Sequence, residues 1–220
     1  MLIALVFTLM FGQDSAVTAG EKLIKQALEQ DKRDSPKVKA LSCASLEELR
    51  NLDDKDRERK RNFRQTLQDW LGTGRYVYRL NPEVPVDRRG LDALSIVFAP
   101  TTMSQQPQGS PDASTEQRAM NDVLNNLAGV VYLDSATHGI REVEGFQLRG
   151  VKVRLAGMNL VQVYKAHVDY LQQSIRGIWA PSRYVVDLKI ALPPNMGQFR
   201  PLGITKGIVS TYYCSGPPPP

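Results

Sequence analysis

The sequence predicts an α+β protein in which helices cover one face of an antiparallel sheet, and three observations carry that expectation. Apolar residues in the N-terminal third recur at helical spacing, the runs after Gly74 alternate with period two, and the turns between those runs are short. Short turns join antiparallel neighbours, and clean alternation means one wet face and one covered face. At 220 residues the chain is long enough for one domain with a sizeable core.

From Glu21 to Lys32, the side chains of Leu23, Ile24, Ala27 and Leu28 share one face of a predicted helix, which Ser35-Pro36 should end. A second helix is expected to open near Ser45, where Ser45 and Glu48 read as a capping box, and to run towards Trp70. Its apolar stripe is Leu46, Leu49 and Leu52, then Phe63, Leu67 and Trp70. The unbroken charged run at positions 53–61, DDKDRERKR, reads as solvated helix surface laced with i,i+4 pairs. Its acidic residues undercut a phosphate-binding alternative.

Tyr76, Tyr78 and Leu80 alternate with polar neighbours, and the Pro- and Gly-bearing NPEVPVDRRG then supplies a turn. Leu94, Ile96 and Phe98 make the next strand, which Pro100 closes. The Ser/Pro/Gln-rich segment from Thr101 to Gln117 is expected to be a surface loop. After a short helical lead-in from Met120 to Leu127, VVYLDSATHGIREVEGF (Val130 to Phe146) reads as a hairpin that turns between Ser135 and Gly139. The apolar parity slips at Gly150, which suggests a bulge or turn there. Leu160, Tyr164, Ala166, Val168 and Tyr170 then keep even parity, as do Tyr184, Val186, Leu188, Ile190 and Leu192. Ile204 to Tyr213 is a last strand, and GPPPP at positions 216–220 forms a tail that cannot pair into a sheet. The total is about seven strands, and no fixed-period repeat suggests a propeller or solenoid.

The first residues carry an uncharged apolar run from Leu2 to Phe11, followed by Val17-Thr18-Ala19 before Gly20. An apolar core followed by a small-x-small site predicts an export signal cut after Ala19. No Lys or Arg precedes the run, so an uncleaved anchor or a core helix are the alternatives. The run is well short of the roughly 20 apolar residues of a membrane-spanning helix. The net charge of +5 is spread along the chain, which argues against a dedicated nucleic-acid arm. Cys43 and Cys214 bring no His cluster with them, so a metal site is not expected. They could pair as a disulfide or remain two free thiols. A bridge would close 214 − 43 = 171 residues and contribute at most about 5 kcal/mol in the chain-entropy model.

The parts of an enzyme are missing from the sequence. His138 falls in the hairpin turn and His167 on a strand face opposite Tyr164 and Val168; neither belongs to a metal-binding spacing, and no nucleophile elbow, phosphate loop or dinucleotide fingerprint occurs. Glu142 and Glu144 are neighbours on one strand, for which an exposed face is the simpler explanation. No cofactor is expected. Aromatic residues stand at strand parity instead: Tyr132, Phe146, Tyr164, Tyr184 and Tyr212, with Trp179 before Pro181. They are either ordinary core or the lining of a cavity beneath a strongly curved sheet, which would take an acyl chain.

LNNLAGVVYLDSATHGIREVEGFQLRGVKV followed by RGIWAPSRYVVDLKI resembles the outer-membrane lipoprotein carrier (LolA/LolB-like) superfamily, in particular its acidobacterial-type periplasmic members. Leu127, Gly129, Val131, Tyr132, Leu133 and Asp134 match a Leu-x-Gly…Asp motif, and Trp179, Pro181, Ser182 and Arg183 match a later Trp-x-Pro motif, with Ala180 where Leu is usual. RYVYRL and LDALSIVFAP are similar as well, so the resemblance spans most of Ser45 to Tyr213. It implies a curved antiparallel sheet, a half-open β-barrel, covered by helices on its concave side. The family's early strand pair is not evident here, which would leave the barrel more open. The implied organisation is a signal peptide over 1–19, an N-terminal helix and connector over 20–44, the half-barrel domain over 45–214, and the proline tail over 215–220. The implied function is a non-catalytic, periplasmic carrier of an acyl chain, lipid or lipid-anchored protein, with peripheral membrane contact and no nucleic acid. Its apolar ligand would lie against Tyr132, Phe146, Tyr164, Val168, Tyr184, Val186 and Leu188. The alternative is an envelope sensor or scaffold that docks a protein partner on the same sheet; a tightly packed concave face would favour it.

Overall fold

The computed structural model describes residues 2–40, 43–50, 67–72, 74–82, 92–101, 121–153, 161–191 and 202–214. Helix α1 (Leu2–Ala40) comes first, then strand β1 (Cys43–Arg50), the short helix α2 (Leu67–Leu71), β2 (Tyr76–Asn81), β3 (Ala93–Pro100), β4 (Leu127–Asp134), β5 (Ile140–Gln147), β6 (Val151–Val153), β7 (Val161–Ile175), β8 (Ile178–Ala191) and β9 (Leu202–Cys214). Among the described residues, nine strands form one antiparallel sheet in the order β1-β9-β8-β7-β5-β4-β3-β2, with β6 paired to β7 off that path. The α+β class and the open antiparallel sheet with a long helix are therefore present. The charged run at 53–61, Leu52, Phe63, Leu160, Leu192, positions 102–117 of the Ser/Pro/Gln segment and the tail at 215–220 lie outside the described residues.

Two helix expectations are corrected. The helix expected from Ser45 is instead a strand, since Cys43–Arg50 pairs residue for residue with Gly207 to Cys214. The helix preference of Leu, Glu and Arg amounts to a few tenths of a kcal/mol per residue, and a complete ladder along the otherwise open side of β9 outweighs it. The first helix neither begins at Glu21 nor ends at Pro36; it runs unbroken from Leu2 to Ala40 through the proline. Pro36 removes the hydrogen bond to the carbonyl of Lys32, and both residues are exposed, so water can satisfy that carbonyl.

α1 lies across one face of the sheet, touching β2, β5 and β8. Ile24, Ala27 and Leu28 enter a continuous core with Ile96 and Phe98 of β3, Val131 and Leu133 of β4, Val143 of β5, Ala166, Val168 and Tyr170 of β7, and Val186 and Ile190 of β8. At Gly20 the helix comes so near β2 that an added Cβ would stand 2.7 Å from the carbonyl oxygen of Tyr78. The predicted helix face is thus correct for Ile24, Ala27 and Leu28, and Leu23 packs beside them.

The centre of the covered face is aromatic. The Trp70 ring meets Phe98 edge to face at 6.1 Å, and Phe98 meets Tyr76 at 4.9 Å. Trp70 Nε1 donates to Tyr76 Oη at 3.2 Å, Tyr76 Oη donates to the Leu124 carbonyl at 2.5 Å, and Tyr78 Oη donates to the Leu71 carbonyl. Two tyrosines of β2 therefore fasten both α2 and the helical turn at 121–124. Burial pushes the Tyr76 phenol up to about 12, against the opposing influence of the Arg75 charge and the Trp70 hydrogen bond. Gly129 and Gly145 face each other across β4 and β5. A Cβ on Gly145 would come within 3.1 Å of the Trp70 ring, and one on Gly129 would overlap the carbonyl oxygen of Glu144.

Both described hairpin turns use left-handed backbone. β7 and β8 are joined through Arg176 and Gly177, with φ of 54° and 78°, the two positive angles of a type I′ turn. Between β4 and β5, Asp134 Oδ1 accepts from the Thr137 backbone N–H and from Thr137 Oγ1, each at 2.8 Å, while His138 takes φ of 57°. Burial pushes the Asp134 carboxyl up, but the Thr137 hydrogen bonds, the Arg141 charge and the Ala136 N–H outweigh it, leaving it below the usual carboxylate range. The expected hairpin from Val130 to Phe146 and the break near Gly150, between β5 and β6, are both present.

Gly129→Ala is expected to separate β4 from β5 and to lower stability by several kcal/mol in denaturant titration. Asp134→Ala should cost about 1 kcal/mol near pH 7. Because the folded carboxyl titrates below its ordinary value of 3.8, that contribution is complete above this value. It should fade as pH falls through the lowered one, so the two proteins converge in strong acid.

Candidate functional site

The seven proposed ligand residues do not line one face. Val168, Tyr184, Val186 and Leu188 lie on the face that α1 covers; Val168 and Val186 are 3% and 6% exposed inside the core, and Tyr184 and Leu188 pack against it. Tyr132, Phe146 and Tyr164 lie on the other face. Register and one bulge cause the split, since Phe146 stands opposite His167 and Tyr132 between Ser95 and Glu142. The ladder shifts between Val163 and Lys165, which makes Tyr164 an extra residue and breaks the even parity of β7; further shifts occur at Leu171/Gln172 and at Tyr132/Leu133.

Beside these four residues α1 packs on β8, and Val168 and Val186 belong to the core that Ile24, Ala27 and Leu28 enter. Tyr170 and Tyr184 meet edge to face at 6.2 Å, and burial pushes the Tyr184 phenol up to about 12. Beside them, Gln172 Nε2 donates to Asp31 Oδ1 of α1 at 2.7 Å and to Tyr170 Oη at 2.8 Å. This polar fastening of helix to sheet has a cost. Burial raises the Asp31 carboxyl above its ordinary value, the Gln172 bond opposes that, and the Asp34 charge adds to it.

The second face is divided along the strands. At one end Ser95, Tyr132 and Glu142 form a cross-strand row and are all buried. Glu142 was expected on an exposed strand face, so its burial is a correction; it is flanked by Tyr132 on β4 and Leu171 on β7. At the other end the apolar side chains are open to solvent, with Phe146 47% and Tyr164 40% exposed, and Leu148 exposed just beyond β5.

Phe146 stacks on the ring of His167 with centroids 4.7 Å apart. His167 Nδ1 lies 3.9 Å from Asp187 Oδ2 on β8. One step along the strands, Lys165 and Lys189 are direct register partners, and both are exposed. Lys152 of β6 is opposite Gln162 of β7 and is also exposed. Among the described residues, none of these three lysines has a carboxylate within ion-pair distance, whereas Arg183 pairs with Asp169 at 2.8 Å further along the same face. Like charges placed opposite each other on a sheet repel. The result is an exposed aromatic strip beside lysines that have no ion-pair partner among the described residues.

Sequence reasoning named Phe146 and Tyr164 but missed Lys152, Lys165 and Lys189. The signal for the lysines was a register, and a register is not readable from one strand. Among the described residues no group of three or more His, Cys, Asp or Glu is placed to hold a metal, and no described helix is long and apolar enough to cross a membrane.

Asp31→Asn retains an acceptor for Gln172 and removes a buried charge, so the variant should be at least as stable as the parent at pH 7. A raised folded carboxyl favours the folded state only once protonated. The margin should therefore narrow as pH falls through the raised value and close below 3.8, which thermal melts across that range would measure.

No protein-family model, curated protein or solved structure matches the chain.

Proposed function

We infer that the protein is a non-catalytic, periplasmic binding protein for an amphiphile with an anionic head, a lipid or lipid-anchored protein, which it engages at the exposed end of its second sheet face. The observation that carries this reading is the juxtaposition of Lys165 and Lys189, opposite each other and without an ion-pair partner among the described residues, with the exposed Phe146 and Tyr164. An anionic head placed between the lysines relieves their repulsion. An acyl segment along Phe146 and Tyr164 gains roughly 0.8 kcal/mol for each CH₂ removed from water. The resemblance to the lipoprotein carriers points to the same class of ligand, with the binding face moved from the covered side of the half-barrel to the open one. Export fits the division of α1: none of the described side chains before Gly20 is buried, and those that enter the core come after the predicted cut at Ala19.

One observation favours the sensor or scaffold reading. The covered face is packed by α1, with Val168 and Val186 inside the core, and a packed face suits a protein that docks a partner better than one that encloses a chain. On that reading the partner would use the same exposed aromatic and cationic surface.

Vesicle flotation separates the two. The protein should float with vesicles containing anionic phospholipid and stay behind with purely zwitterionic ones. Lys165→Ala with Lys189→Ala should weaken binding about thirtyfold, at about 1 kcal/mol for each lysine near an anionic surface. Phe146→Asp should abolish it while leaving the far-UV spectrum unchanged. Absence of flotation by the well-folded parent at low salt would sink the amphiphile reading and leave partner docking.

A further inference from the structure

The sheet brings the chain's two cysteines together. Cys43 is the first residue of β1 and Cys214 the last of β9, and the two are direct register partners at the end of the antiparallel ladder. Directly opposed residues in such a ladder have Cα atoms about 4.5 or about 5.5 Å apart, depending on the hydrogen-bonding ring they occupy. Both values fall within the roughly 4.4–6.8 Å that a disulfide spans. A slip of one residue would send the two Cβ atoms to opposite faces of the sheet. The register therefore meets a condition that a separation of 214 − 43 = 171 positions left open.

We propose that Cys43 and Cys214 form an intramolecular disulfide that staples the edge strand β1 to β9. The oxidant is an external disulfide of the compartment, either a small molecule or a thiol–disulfide oxidoreductase. One cysteine loses its proton, and its thiolate attacks the external disulfide, forming a mixed disulfide and expelling one thiolate. The second cysteine, deprotonated in turn, attacks the protein sulfur of that mixed bond and expels the other thiolate. The protein loses two electrons and two protons, and the external disulfide becomes two thiols.

The position gives the bond a purpose. β1 ends the strand order and has β9 as its one neighbour in the sheet among the described residues. Its first residue follows the end of α1, at Ala40, by three positions. The bond thus closes the ladder at the corner where the long helix hands over to the sheet, which is where an edge strand frays first. Two thiolates are too few to complete a structural zinc site, so pairing with each other is the chemistry this register favours. The inference does not depend on the amphiphile reading, because neither Lys165 nor Phe146 enters it.

The test uses the full chain, equilibrated with reduced and oxidised glutathione, then unfolded and alkylated before intact-mass analysis and peptide mapping. The expected result is a monomer with no alkylated cysteine before reduction, two after it, and a linked peptide pair containing Cys43 and Cys214. Alkylation of both without reductant, a glutathione adduct on each, or a linked pair found in a covalent dimer would overturn the proposal. Hydrogen exchange at the β1 amides reads the staple directly: reduction of the wild-type chain should speed exchange over 43–50 about tenfold, and Cys43→Ser with Cys214→Ser should show the faster rate with or without reductant. If the double variant does not fold, the wild-type chain with and without reductant still decides. Equal protection in the two states would refute a stapling role.

Discussion

The seating of Trp70 against Gly145 of β5 is the constraint on which the rest of the fold turns. An indole needs room, and the sheet supplies it by omitting a side chain at Gly145, next to the row that carries Val131 and Val143, while its partner Gly129 lies too close to the Glu144 carbonyl for a side chain. Once seated, the ring presents its N–H to Tyr76 and its edge to Phe98. That arrangement ties α2 to β2 and β3 before any contact with α1 is made. A bulky residue in place of either glycine would disturb four strands and a helix together, because packing in cores transmits displacement rather than absorbing it.

The same sheet shows why two faces made from one chain can have different roles. The covered face is largely apolar where α1 packs on β2, β5 and β8, and Gln172 of β7 reaches a carboxylate on the helix. The second face has no such uniformity. It passes from a buried row at Ser95, Tyr132 and Glu142 to an exposed one at Phe146 and His167 within four residues of β5. Apolar side chains left in water beside lysines that face each other lower the stability of the isolated chain, and such a cost is retained where a binding partner recovers it.

Legibility in the sequence followed the range of the forces involved. The hairpin from Val130 to Phe146, the strands at Tyr76 and Leu94, and the helix face of Ile24, Ala27 and Leu28 are set by local alternation, and each was readable. The strand at Cys43–Arg50 was not. Leu46 and Leu49 satisfy a helical stripe, and only the distant partner at Gly207 to Cys214 makes the extended form win. The candidate site failed for a related reason. Parity carries face assignment only until a bulge intervenes, and β7 bulges at Tyr164, so Tyr164 and Val168 point to opposite sides although both are even-numbered. The Lys165–Lys189 pairing lies wholly in the register, which no single segment encodes.

The close passage of α1 over Gly20 has a further meaning. β2 is the last strand in the sheet order, and the helix presses on its backbone at the Tyr78 carbonyl and the Leu80 nitrogen. Groups of that kind, left open, are a template on which a second chain can add a strand. A helix seated there occupies the approach that an incoming strand would need, and a side chain at Gly20 would hold it off. A glycine in the helix thus helps keep the molecule from polymerising through its own edge.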